Sequence, residues 1–271
     1  MSADLSGRRV LVVGASSGIG KAVAQSAVRA GADVVFVARR EERLKDAVKE
    51  AGGGTVVVAD VRREEDCRRI VDEGVAALGG LDLLLYATGV SPLVLMEDQT
   101  AEGWRDLFET NAMGAFLVLK AAIPALAPGG LLAYLGSDSV GAPYHGLVPY
   151  TATKAALDEG VRGLRLEFPD LRFTRVTVGP TVGTEIAQEH DPELFARLLT
   201  EWLRNARAFE RQMEAGDLGQ LIVELLAPAL AHTDTEVAEI LVRAPGGTLP
   251  WGTDVQVLVE SVKEFKGQLD D

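Results

Sequence analysis

The feature that most constrains this chain is a series of short apolar runs in which hydrophobic and polar side chains do not alternate. Val10–Val13, Val34–Val37, Thr55–Ala59, Leu81–Tyr86, Leu131–Leu135 and Phe173–Val178 are of this kind, and Glu236–Val242 is a last, more mixed run. Successive side chains on a strand point to opposite faces, so an unalternating run belongs to a strand covered on both sides. Amphipathic stretches separate the runs. Ile19, Val23, Ala27 and Ala30 recur at helical spacing, as do Cys67, Val71, Val75 and Leu78, and Leu157, Val161, Leu164 and Phe168. Glu41–Glu50 reads as helix, and Ala101–Leu126 as one longer helix ended by Pro128-Gly129-Gly130. Strands alternating with helices call for parallel crossovers. The expected fold class is α/β, an open, doubly wound parallel sheet with helices on both faces. Such sheets take their ligands outside the carboxyl ends of the strands.

With 271 residues, 47% of them hydrophobic, the chain suits one large domain over residues 1–271 and needs no staples. Its formal charge of −13 argues against nucleic acid and anionic membrane surfaces as partners, since both call for basic patches. The one cysteine, Cys67, excludes a disulfide within the chain and fits a reducing compartment. Its helical spacing with Val71 and Val75 makes it a small core residue. The first residues lack a charged-then-apolar leader pattern and no stretch approaches membrane-spanning length, so the cytoplasm is the expected location. Three histidines and one cysteine give no convincing metal site.

Gly14-Ala15-Ser16-Ser17-Gly18-Ile19-Gly20 follows the first run and opens a helix. Glycines permit a tight turn and a close backbone approach. The free N–H groups of the helix start, here from Ser16 to Gly20, can then hold a pyrophosphate. A purely structural glycine turn is the alternative. In this strand–turn–helix setting the expectation is dinucleotide binding on a Rossmann sheet.

The Gly-x-x-x-Gly-x-Gly spacing resembles the short-chain dehydrogenase/reductase family, and the resemblance continues from about Gly7 to about Gly247. It implies an adenine contact at Asp60 and Val61, whose plainer reading is a solvated strand end. Strand two ends in Ala38-Arg39-Arg40, where an NAD-preferring protein would carry an acid for the ribose 2′-hydroxyl. Ala38 cannot accept such a bond, whereas Arg39, assisted by Arg40, offers a charged fork to a 2′-phosphate. The expected cofactor is therefore NADP(H), although the two arginines also read as an exposed pair balanced by Glu41 and Glu42. Ala238–Gly247 resembles the NADP-using branch of the family, which points the same way.

Tyr150 and Lys154 lie one helical turn apart and share a face. Ser137 stands thirteen residues before Tyr150 at a strand end, and Asn111 lies on the preceding long helix. In order and spacing these four resemble the family's catalytic Asn, Ser, Tyr and Lys. The resemblance implies hydride transfer between nicotinamide and a carbonyl or alcohol. Tyr150 would be the general acid or base and Lys154 an ammonium that favours its phenolate. Ser137 would orient the substrate oxygen, and Asn111 would support a proton-feeding water. Gly89 would flank the nicotinamide, also bonded by Tyr150 and Lys154 near its ribose. Val182 and Thr184 would close its far side, with a helix cap as the other reading of Thr184.

Two departures from the family pattern occur together. Val13 replaces a threonine before the first loop glycine, and Tyr86-Ala87-Thr88-Gly89 replaces Asn-Asn-Ala-Gly. Losing both polar partners of one contact is nearly neutral, whereas losing one leaves a group unsatisfied. This reads as a substituted support contact. Residues 186–216 form an expected substrate lid, in which Phe195, Leu199, Trp202, Ala206, Phe209 and Met213 follow helical spacing and either pack on the body or, where part of the stripe faces the cleft, meet a bulky apolar substrate. Leu93–Met96 would form an opposing wall, and Tyr144 and His145 would touch substrate. The resemblance implies a homodimer or homotetramer. A catalytically silent NADP-binding sensor or scaffold is the alternative function, because fold alone does not fix activity.

Overall fold

The computed structural model of the chain describes residues 3–184, 191–250 and 252–255. The unalternating runs become β1 (Arg9–Val13), β2 (Asp33–Ala38), β3 (Thr55–Val58), β4 (Leu81–Tyr86), β5 (Leu126–Ser137), β6 (Arg172–Val178) and, later, β9 (Glu239–Val242). They form one sheet in the order β3-β2-β1-β4-β5-β6-β9, with every pairing parallel. The order reverses between β1 and β4, and that switch point is where such a sheet opens a crevice for a ligand.

Helices cover both faces. On one lie α1 (Gly18–Arg29), α2 (Glu41–Ala51) and α8 (Ala215–Ala231). On the other lie α3 (Glu64–Leu78), α5 (Gly114–Ala122) and α6 (Val148–Glu167). Even residues of β1 such as Val10 and Val12 enter the first core, and Leu11 and Val13 the second, as two-sided coverage of a strand requires. Cys67 is fully buried in the second core, where its thiol donates to the Val61 carbonyl at 3.2 Å and burial raises it to about 11. That suits a packing residue and disfavours a nucleophile.

Four expectations need correction. The helix expected over Ala101–Leu126 is α4 (Ala101–Phe108), a π-turn at Glu109–Met113, α5 and a short 3₁₀ turn, with Leu126 already in β5. A π-turn keeps roughly helical periodicity, so the sequence pattern runs through it unbroken. The lid helix is α7 (Pro192–Arg204) and stops there, because Asn205 caps it and Ala206 takes a left-handed φ of 51°. Phe209 and Met213 are therefore off the helix: Phe209 bridges to Thr248, and Met213–Glu214 is β8, paired with β7 (Thr181–Val182). The last strand is shorter than Glu236–Val242, beginning at Glu239. Finally, α8 has no counterpart in the sequence reading, yet it packs tightly on α1, where a Cβ on Gly219 would sit 2.5 Å from that of Ala22. Part of the expected lid, residues 186–190, lies outside the described residues. Among those described, no helix is long and apolar enough to cross a membrane.

Candidate active site

The carboxyl ends of β1, β2, β4 and β5 and the start of α6 border a cleft of about 540 Å³. Its floor is the turn after β1. Gly14 adopts φ 97°, and a Cβ on Gly20 would come within 2.2 Å of the Gly14 carbonyl oxygen, so side chains are excluded at both points. Ser17 is the N-cap of α1 but makes no side-chain capping bond. The first-turn N–H groups of Gly18, Ile19 and Gly20 thus have no acceptor within the helix or from its cap. A bare, dipole-oriented helix start behind a cradle without side chains fits the pyrophosphate of a dinucleotide.

The walls carry the other expected contacts. Asp60, Val61 and Gly89 line the cleft, as does exposed Arg39. Asp60 is held by Arg62 at 2.6 Å, which keeps its carboxyl below the usual range. Arg40 folds back over the turn and donates to the Ser16 and Ser17 hydroxyls, each at 3.2 Å. The two arginines and two serines therefore gather at one mouth of the cleft. Thr184 also lines it, but its hydroxyl donates to the Thr181 carbonyl at 3.4 Å and caps no described helix. Val182 is in β7, outside the residues that line the cleft.

Tyr150 and Lys154 project from the first turns of α6 into the cleft, with Lys154 Nζ 5.8 Å from the Tyr150 ring centre. Lys154 is buried and donates to the Leu135 carbonyl at 3.0 Å. Burial pushes its ammonium down to about 8, and Asp158 opposes that fall. The sequence reading has Lys154 pulling the Tyr150 phenol down. The structure differs: burial dominates and raises Tyr150 to about 12, and the Ser137 hydroxyl is the group that opposes the rise. Ser137 itself donates to Ser139 at 2.9 Å.

Asn111 sits in the π-turn and is fully buried. Its carboxamide accepts from Val90 N–H at 2.8 Å, and donates to the Val90 carbonyl at 2.9 Å and to Thr153 Oγ1 at 3.0 Å. It therefore ties the segment following Gly89 to α6. Tyr150 and Lys154 thus line one end of the cleft, with the Ser137 hydroxyl against the Tyr150 phenol and Asn111 buried behind, its Oδ1 and Lys154 Nζ both close to Gly89. The paired departures fit without loss: Val13 is in the apolar core, its carbonyl accepts from Ala87 N–H at 2.7 Å, and Tyr86 donates to the Thr110 carbonyl at 2.6 Å. That last bond, the Thr153 contact and the Asp138–Tyr144 pair at 3.1 Å were absent from the sequence reading. Tyr144 and His145 meet the lid: the His145 carbonyl accepts from Trp202 Nε1 at 2.9 Å, and the Tyr144 and Trp202 rings meet edge to face. Among the described residues no cluster of His, Cys, Asp and Glu could hold a metal.

The parallel sheet with its glycine turn at the switch point defines a Rossmann-type protein. A family model described as short chain dehydrogenase matches residues 8–194. The chain belongs to the short-chain dehydrogenase/reductase family of oxidoreductases. It is 36% identical over 186 residues to 11-beta-hydroxysteroid dehydrogenase A of Sesamum indicum, covering 66% of this chain but only 53% of that protein. It is 32% identical over 225 residues to 11-beta-hydroxysteroid dehydrogenase-like 2 of Arabidopsis thaliana, covering 79% and 73% of the two chains. A short chain dehydrogenase from Burkholderia cenocepacia, solved in complex with NADP, superposes with a TM-score of 0.76 at 25% identity, covering 88% of this chain and 97% of that one.

Proposed function

We propose that the protein is an NADP(H)-dependent oxidoreductase acting on a carbonyl or alcohol, with Tyr150 as general acid or base. The observation that carries this reading is a cleft lined at one end by Tyr150 and Lys154, with the Ser137 hydroxyl against the Tyr150 phenol, and at the other by a bare helix start flanked by Arg39 and Arg40. The nicotinamide supplies or takes the hydride when bound. As hydride reaches a carbonyl carbon, charge develops on the oxygen and needs both a proton and a hydrogen-bond donor. Tyr150 delivers the proton from its hydroxyl. A phenol raised to about 12 remains far more acidic than the alcohol formed when it protonates the alkoxide. Ser137 donates to the same oxygen. Lys154 holds positive charge beside the phenolate left behind. Asn111 keeps the Val90 segment fixed against α6, and its neighbourhood is where a water would replenish the proton. Gly14, Ser16, Ser17, Gly18, Ile19 and Gly20 hold the pyrophosphate, Asp60 and Val61 the adenine, and Arg39 and Arg40 the 2′-phosphate. Gly89 and Thr184 border the nicotinamide end.

The test follows NADPH oxidation at 340 nm against a panel of ketones, aldehydes and quinones, with a keto-steroid included because of the names borne by the relatives. Turnover by the native protein and none by Tyr150→Phe is the expected result. NADPH binding without turnover of any substrate class would favour the sensor or scaffold reading. Sedimentation checks the expected homodimer or homotetramer.

A further inference from the structure

Behind the cleft, on the α6 side of the sheet, lies a row of charged and polar side chains that the reaction as described does not use. Tyr134 on β5, Arg175 on β6 and Glu239 on β9 are register neighbours across three adjacent strands. Such cross-strand neighbours share one face of the sheet. Asp158 of α6 reaches down onto this row. Its Oδ1 accepts from the Tyr134 hydroxyl at 3.0 Å, and its Oδ2 accepts from Arg175 Nη1 at 2.7 Å. The second Arg175 nitrogen donates to Glu239, which also accepts from Thr177 Oγ1 at 3.2 Å. Asp158 and Tyr134 are each 2% exposed.

A carboxylate buried to this degree persists only when its oxygens are paired. Both are, by donors on two different strands. The arrangement would be a plain helix-to-sheet clamp but for the place of Asp158 on its helix. It follows Lys154 by one turn, so the two side chains lie on the same face of α6. Lys154 is itself buried, and it donates to the Leu135 carbonyl, a neutral acceptor next to Tyr134 on β5. The ionisable groups around Lys154 are Tyr150 and Asp158 on α6, Tyr134 and Asp138 along β5 and its end, Arg175 on β6, and Glu239 beyond it on β9. Asn111 Oδ1 approaches the same space from the π-turn, since a Cβ on Gly89 would lie 3.4 Å from Lys154 Nζ and 3.5 Å from that oxygen. Of the carboxylates in this set, Glu239 is spent on Arg175 and Thr177, and Asp138 takes the Tyr144 hydroxyl.

We propose that Asp158, held between the Tyr134 phenol and the Arg175 guanidinium, is the fixed counter-charge that keeps the Lys154 side chain an ammonium. It is a positioning residue that acts on the reaction through Lys154 and touches neither substrate nor cofactor. Burial draws the lysine down to about 8, and Asp158 is the group that opposes that fall. Without it, the ammonium would be lost close to neutrality, and with it the positive charge beside Tyr150. Arg175 and Tyr134 matter because they hold the carboxyl ionised against a burial that raises it.

The inference deepens the proposed function, but its test needs neither substrate nor cofactor. Protein labelled with 13Cε-lysine is titrated by NMR, with Lys154→Met assigning the resonance. In Asp158→Asn the Lys154 midpoint is expected to fall by about one pH unit or more, the size of effect an opposite charge at such range exerts. The pH profile of any measurable turnover should move with it, and Asp158→Glu should restore part of the shift. A folded Asp158→Asn with the native Lys154 midpoint overturns the proposal and leaves Asp158 a structural clamp. Should Asp158→Asn not fold, the double variant Asp158→Asn, Arg175→Met removes both charges of the pair, a change that buried ion pairs tolerate better than loss of one. A smaller fall is expected there, because the Arg175 cation that disfavours the ammonium is removed as well, and an unchanged midpoint overturns the proposal. A protein that titrates as stated and turns nothing over would sink the proposed function alone.

Discussion

Asn111 and Val90 bond each other through both ends of one carboxamide, Oδ1 taking the Val90 N–H at 2.8 Å and Nδ2 reaching its carbonyl at 2.9 Å. The pairing mimics a strand neighbour for a segment that has left β4 and pairs with no other strand among the described residues. Its remaining amide hydrogen goes to Thr153, whose hydroxyl in turn donates to the Tyr150 carbonyl at 2.7 Å. Asn111→Ala therefore leaves two part-buried backbone groups of Val90 without these partners. A loss of about 2–4 kcal/mol in stability is expected from two such groups. Chemical denaturation with an unchanged m-value would check it, and a loss under 1 kcal/mol would mean that water replaces the carboxamide.

The π-turn carrying Asn111 is anchored by Tyr86, which donates to the Thr110 carbonyl at 2.6 Å. A π-turn releases carbonyls from the i→i−4 ladder, and this phenol takes one of them inside the core. Tyr86→Phe keeps the ring and strands that carbonyl. The expected cost is about 1–3 kcal/mol. Thermal unfolding would read it, and a variant as stable as the native protein would show that the carbonyl finds another donor.

The residues that carry the site were legible where their spacing is local. Tyr150 and Lys154 are one turn apart on a helix, and the glycine turn is a continuous heptapeptide between strand and helix, so pattern alone places both. What escaped is non-local or pattern-neutral. Asn111 was found but not the π-turn beneath it, because apolar spacing continues across Glu109–Met113. The Asp158–Tyr134–Arg175 set joins a helix to two strands and leaves no mark in any one segment. The whole of α8 was missed because Leu221-Ile222-Val223-Glu224-Leu225-Leu226 is apolar on several sides and Pro228 interrupts it, which blurs the stripe formed by Leu218, Ile222, Leu226 and Leu230. The lid stripe was overextended because the stop at Ala206 uses a left-handed non-glycine residue, for which the sequence offers no glycine signal.

Cofactor choice is expected to rest on Arg39 and Arg40 unequally. Arg40 is already braced by Ser16 and Ser17, whereas Arg39 is exposed on the cleft wall. A charge-assisted bond to a phosphate contributes about 1.5–3 kcal/mol, so Arg39→Ala should weaken NADPH binding by about 10- to 100-fold and NADH binding little. Arg40→Ala should weaken NADPH comparably and also loosen the turn, lowering affinity for both. Calorimetry with each cofactor decides it, and equal native affinities for NADPH and NADH would remove the basis of the argument.

The proposed proton donor also makes a statement about pH. Reduction draws a proton from Tyr150, near 12, while Lys154, near 8, must stay charged to receive the phenolate. A group with a depressed value loses its proton as pH rises through it. The reductive rate should therefore be level below about pH 7 and decline as pH passes about 8, one proton at a time. Tyr150→Phe should abolish turnover while leaving NADPH affinity within a few-fold of native. A reductive rate that rises between pH 7 and 9 would contradict the assignment of Lys154.

The lid is expected to be held more weakly than the body and to govern substrate choice. The small cluster of Leu199, Leu203 and Ala208 is separate from both main cores, and its supports are Phe195, Ala196, Trp202, Leu249 and Val255. A satellite cluster of this size stabilises its helix far less than the sheet is stabilised, so α7 should open locally at lower free energy. Its firmest attachment is to the segment between Ser137 and Tyr150: Trp202 donates to the His145 carbonyl at 2.9 Å, and Leu198 packs where a Cβ on Gly146 would intrude to 2.6 Å. Tyr144, in the same segment, meets the Trp202 ring at 5.6 Å between centres and is bonded to Asp138, the residue after Ser137. A change at Trp202 therefore reaches Ser137 through two contacts and reaches the pyrophosphate turn through none described. Amide exchange over α7 should be faster than over α5 and β5, and should slow when NADPH and an accepted substrate are both present. Trp202→Phe removes the bond to His145 and trims the ring that meets Tyr144, and should alter KM more than NADPH affinity. Trp202→Ala should also reorder substrate preference. If α7 exchanges as slowly as β5 and Trp202→Ala keeps the native substrate profile, the helix is a fixed part of the body and selectivity lies elsewhere in the cleft.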